Sequence, residues 1–159
     1  MLIVEAIVLC LLFFALCILD TGTDEKNLKS YSSYTDEVKN KIKEIKEYQG
    51  KYREKNKKDV WIENFILFII LFLILGISLK EKNFIHNFIS VLILGQALNI
   101  FDLIVIDLLW WRNSKRIRFS KIPQKELYQN PKKHIEAFLR AVVLYFVVAV
   151  VDGYILTLF

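Results

Sequence analysis

The sequence is poor in the residues that staple small folds or build chemical sites. It has two cysteines, two histidines, two prolines and five glycines in 159 residues. Cys10 and Cys17 lie seven apart in one apolar run. On a straight helix their Cα atoms would be roughly 10 Å apart, beyond the reach of a disulfide. No cysteine or histidine spacing suits zinc, and no metal or cofactor is expected. Leu16 precedes Cys17 where a lipid-attachment motif needs a small residue. The apolar runs lack two-residue alternation, which argues against a β-barrel. The first run lacks a basic leader and a small-residue cleavage site and carries Glu5; a retained helix is expected there rather than a signal peptide. No catalytic or ligand motif stands out.

What is present is segregation. Hydrophobic residues make up 55% and charged residues 25%, with mean hydropathy +0.36. They fall in separate blocks. Four apolar blocks run from Leu2 to Leu19, Trp61 to Leu79, Phe84 to Trp111 and Ile135 to Phe159. A bilayer core about 30 Å thick takes about 20 apolar residues as a helix. The expected fold is therefore all-α: one integral membrane domain over 1–159, a four-helix bundle with spans at about 2–19, 61–79, 84–111 and 135–158, and a cytoplasmic amphipathic helix. The lipid bilayer is its first expected partner.

The connecting segments predict orientation. Residues 20–60 hold eleven Lys or Arg, and 112–134 hold eight against a single acid, Glu126. The link Lys80-Glu81-Lys82-Asn83 holds two. The positive-inside rule then puts both long segments in the cytoplasm and both termini outside, in a multi-pass cell-membrane protein. Trp61, Trp110 and Trp111 fall at the same interface, where indole rings prefer to sit. The net charge of +5 is explained by this placement, and nucleic acid is not an expected partner.

Within the first segment, Val38, Ile42, Ile45, Tyr48 and Tyr52 recur at helical spacing. They predict an amphipathic helix over 36–58, with Glu37–Lys41 and Glu47–Lys51 as i, i+4 pairs on its other face. This stripe is the candidate partner-binding surface. It could instead lie on the bilayer, pack on the other cytoplasmic segment or form a short coiled coil. Residues 21–35, rich in Ser, Thr, Asp and Asn, read as a flexible linker. In the second segment, Arg116-Ile117-Arg118-Phe119 and Ile122-Pro123 suggest an extended piece on the membrane surface, its basic side chains near anionic headgroups. Asn130-Pro131 reads as an N-cap and first helical residue.

Ionisable and amide side chains inside spans invite functional readings. At 100° per residue, Gly95, Gln96, Asn99 and Asp102 share an arc of about 120°, with Asp107 at its edge. This stripe suits either an ion or small-solute pathway or interhelical hydrogen bonds. Similar depth makes Asp107 and Arg140 an expected ion pair, with Glu136 competing for Arg140. Glu5, Asp152 and His86 share a depth near the other side, where convergence would be needed for metal or acid–base chemistry.

The pattern Asp102-x4-Asp107, Ile122-Pro123-x2-Glu126-x-Tyr128 and His134 resembles one in small uncharacterised bacterial integral membrane proteins, over about residues 95–153. Gln124 stands where that pattern has glycine. The resemblance carries no known activity. It implies that Asp102, Asp107, Glu126 and His134 belong to one cytoplasm-facing site.

Three function classes follow. The first is a non-catalytic accessory, immunity-type or scaffold protein, binding a protein partner or a second copy through its cytoplasmic segments. The second is a subunit of an oligomeric ion or small-solute transporter or channel. The third is a membrane enzyme acting on lipid or phosphate groups at the cytoplasmic face.

Overall fold

A computed structural model describes residues 1–54 and 56–158. No strand occurs among them; one isolated bridge joins Phe119 and Ile122. The helices are α1 (Leu2–Leu19), α2 (Asp24–Lys29), α3 (Asp36–Glu44), α4 (Lys57–Gly76), α5 (Phe84–Phe101) and α6 (Lys132–Ile155). From Asp102 to Trp111 the chain continues α5 in π-helical winding. Four helical stretches are long and apolar enough to cross a membrane: α1, α4, α5 with its continuation to Trp111, and α6. The chain packs as two compact units, one made of residues 1–12, 56–101 and 138–158, the other of 13–54 and 102–137.

The first, the helical unit, holds α4, α5, most of α6 and the start of α1. Asn56 caps α4 through its side chain, and Asn83 accepts from the amides of Ile85 and His86 to open α5. These caps satisfy amides that have no partner inside the helix. Asn87, fully buried, exchanges two hydrogen bonds with the backbone of Glu81 (2.9 and 2.8 Å) and so shapes the α4–α5 turn. Gly153 permits a close approach of α5 and α6: a Cβ there would stand 2.9 Å from the Phe88 backbone. Aromatic side chains fill the interior, with Phe68 edge-on to Tyr145 at 4.8 Å and Phe72 against the same ring at 5.6 Å. The outer faces carry exposed Ile66, Leu67, Ile70 and Ile74 on α4 alone. Water would penalise such a surface and hydrocarbon would not.

The second, the aromatic unit, has a conventional core. Leu28, Tyr31, Tyr34, Val38, Ile42 and Tyr48 from the first segment meet Trp111, Ile117, Phe119, Ile122 and Tyr128 from the second. Two expectations are corrected here. Residues 21–35 are not a free linker: Thr23 caps α2, a 3-10 turn follows at Tyr31–Ser33, and Thr35 caps α3. The 36–58 helix stops at Glu44. Ile45 turns extended (φ −88°, ψ 111°), a 3-10 turn covers Lys46–Tyr48, and Gly50 adopts φ +75°, a conformation costly for any residue with a Cβ. The break has a physical cause in the core. It lets Tyr48 reach Asp24 at 2.5 Å and Tyr52 stack on Tyr31 at 4.4 Å.

The basic second segment is folded inward as well. Ile117 and Phe119 are buried, while Arg116 donates to the carbonyls of Ile18 and Thr21 at the end of α1. Asn130 accepts from the amide of Lys132 at 3.0 Å, so α6 opens as the Asn-Pro pair predicts.

Candidate functional site

The π-helical winding decides which side chains meet. Residues five apart on an α-helix point about 140° away from one another, whereas i→i+5 bonding brings them near one face, a turn apart. Asp102 and Asp107 are five apart and both lie in the π segment. Asp107 Oδ1 stands 2.9 Å from His134 Nδ1 in the first turn of α6. His134 is buried and Asp107 nearly so, and the Trp111 ring lies edge-on to the imidazole at 6.1 Å. Asp102 lies within electrostatic reach of both groups, and Cys17 of α1 within reach of both aspartates.

The chemistry of this cluster follows from the histidine. Nδ1 faces the carboxylate, so it carries the hydrogen, and Nε2 is the nitrogen left for other work. Such a pair can hold a proton, orient a base or tie two helical elements together. Among the described residues no group of three His, Cys, Asp or Glu is arranged to hold a metal ion.

The other predicted residues go elsewhere. Gln96 and Asn99 belong to the helical unit, where they donate to the carbonyls of Val142 (3.2 Å) and Phe138 (3.3 Å) on α6. There they act as ties between helices. Asp107 belongs to the aromatic unit and Arg140 to the helical unit; the described partner of Asp107 is His134. Glu126 is exposed on the 3-10 turn Lys125–Tyr128, and no described contact joins it to the Asp107–His134 pair. Val38, Ile42 and Tyr48 are buried and Ile45 and Tyr52 partly so, all within the unit's own core. The proposed partner-binding stripe is therefore occupied from inside the chain.

Sequence reasoning missed the polar latch that joins the two segments of the aromatic unit. Asp24 accepts from the Ser120 amide (2.8 Å), the Ser120 hydroxyl and the Tyr48 hydroxyl. Burial alone would raise the Asp24 carboxyl, but these donors and Lys121 more than offset it and hold the group below its ordinary range. Tyr34, almost fully buried, donates to the carbonyl of Ile117 at 2.8 Å. Tyr128 donates to Ile122 and accepts from the Phe119 amide, and burial pushes its phenol up to about 12. Six aromatic residues at 31, 34, 48, 52, 119 and 128 were the available signal, since flexible linkers are poor in aromatics.

No protein family, curated protein or solved structure matches the chain.

Proposed function

We propose that the chain is a multi-pass membrane protein of non-catalytic accessory, immunity or scaffold type, which holds a partner at the cytoplasmic face through its aromatic unit. Four helices cross the bilayer, with both termini outside and both long segments in the cytoplasm, as in a bacterial inner-membrane protein. The observation that carries this reading is the shared aromatic core of two segments some eighty residues apart in sequence, illustrated by Tyr34 on Ile117. Ordering these loops costs conformational entropy, and a folded unit of this kind presents a defined, basic surface. Lys115, Lys125 and Lys132 are exposed on it, suited to acidic protein groups and anionic headgroups.

The test is charge reversal. Lys115→Glu, Lys125→Glu and Lys132→Glu together should leave the near-UV circular dichroism of the aromatic core unchanged. They should release a protein that co-purifies stoichiometrically with the unaltered chain. The Asp107–His134 contact favours a second reading, a membrane enzyme acting on lipid or phosphate groups with His134 as base. Turnover of a labelled phospholipid that is abolished by His134→Gln, with the co-purifying protein still bound, would establish that reading in place of the first. Ion flux in proteoliposomes abolished by Asp102→Asn would establish a transport subunit.

A further inference from the structure

Asp152 occupies a core position of α6 that apolar residues fill elsewhere. Tyr145, Ala149, Asp152 and Leu156 follow one another at spacings of four, three and four, which aligns them on one face as the chain leaves α6. Tyr145 packs on Phe68 and Phe72 of α4, and Leu156 lies against α4 at Gly76. Asp152 sits between them on that face and is 0% exposed, as are Phe72 and Leu94. Both of its carboxylate oxygens are buried without a hydrogen-bond partner. At the next residue the α5 backbone closes to within 2.9 Å of where a Cβ would be, which leaves no room for a wedge of water on that side.

The charged groups of the neighbouring elements at this end are Glu5 of α1, Lys80, Glu81 and Lys82 of the turn, and His86 of α5. None of them hydrogen-bonds Asp152. Glu5 accepts from Ser78, and His86 lies by the Leu79 carbonyl and Glu81. The facing part of α4 includes Phe72 and Gly76, which bring no charge. Among the described residues an ionised carboxylate here has no hydrogen-bond donor of the kind that makes burial of charge tolerable.

We propose that Asp152 is a proton-binding site: it carries a proton as a neutral carboxylic acid while α4, α5 and α6 are packed, and releases it only when their seam opens to water. On opening, the O–H bond breaks, its electron pair stays on the carboxylate, and the proton passes to a water molecule as hydronium. The ligand is the proton itself, and the site belongs to the helical unit alone, independent of any partner of the aromatic unit.

Two measurements on the full chain in lipid nanodiscs test this. Infrared difference spectra of the unaltered protein at neutral pH should show the carbonyl stretch of a protonated carboxyl that is lost in Asp152→Asn. Hydrogen exchange of amides in the second half of α6 should accelerate with pH about tenfold per unit beyond the chemical rate, because opening releases one proton. Asp152→Asn should follow the chemical rate alone. Should the buried amide prevent folding, Asp152→Leu fills the same apolar layer and should likewise lose both signals. A neutral-pH spectrum with no band removed by either substitution, or equal pH profiles in variant and unaltered protein, overturns the proposal.

Discussion

The two units solve opposite problems with the same backbone. In the aromatic unit the large apolar side chains of residues 20–54 and 112–134 turn inward and the buried hydroxyls are matched: Tyr34 finds Ile117, Tyr128 finds Ile122, and Thr35 donates to Leu127 at 2.7 Å, while the Nε atoms of Arg112 and Arg118 stay buried without a partner. In the helical unit large aliphatic side chains cover the outside, and polar side chains inside reach for backbone carbonyls or, at Asp152, for nothing. The first arrangement is what water demands, since an unmatched buried polar group costs about 1–3 kcal/mol and apolar burial supplies the gain. The second is what lipid permits, since packing and a few polar ties must do what the hydrophobic effect does elsewhere.

The largest expected effect strikes the aromatic core. Tyr34 touches Trp111, Phe119 and Tyr128, with ring centroids 5.3, 5.0 and 6.0 Å away. Tyr34→Ala should cost about 3–5 kcal/mol, read as a lower urea midpoint in the near-UV signal of detergent-solubilised protein. An unchanged midpoint would mean that this core contributes no stability, and the contrast between the units would fail.

A smaller effect is expected between α5 and α6. Gly153→Val should cost about 1–3 kcal/mol by overpacking against the Phe88 backbone, seen as a lowered melting temperature in far-UV circular dichroism. A substitution tolerated without loss would mean that the two helices can part freely.

The smallest effect is a pH dependence confined to the aromatic unit. The folded-state carboxyl of Asp24 is depressed, so at acid pH the unfolded chain binds more protons than the folded one. Its contribution is present above the ordinary aspartate range and is lost as pH falls through the lower folded value. Asp24→Asn should flatten that acid-side decline in thermal melts from neutral pH downward. An identical decline in the variant would remove the latch from the comparison.

The helical unit was the more legible of the two because its signal is local. Each span announces itself through its own composition, and Asn130-Pro131 marks its own helix start. The start of α4 fell earlier than the apolar block, at Lys57, because Asn56 caps the helix before the hydrophobic residues begin. The aromatic unit was hidden because its stabilising contacts join residues about ninety positions apart: Thr35 with Leu127, Asn27 with Arg116. Ser- and Thr-rich stretches near Tyr31 and Tyr34 read as linker until those distant partners are known. The five-residue stripe from Val38 to Tyr52 packs in a core shared with the second segment of the same chain, one of the placements its sequence left open. Asp102 and Asp107 stood out in Asp102–Trp111, but no glycine or proline there marks a change of winding, so the π turns that aim Asp107 left no mark to read.

That winding also sets a length. The eighteen residues of α5 rise about 27 Å at 1.5 Å each, close to the thickness of a hydrocarbon core. Ten more residues at the same pitch would overshoot it by half again. Wider turns store more chain per unit of height, so the ten π-wound residues from Asp102 to Trp111 add less length than ten α-helical ones would, and the surplus appears as girth.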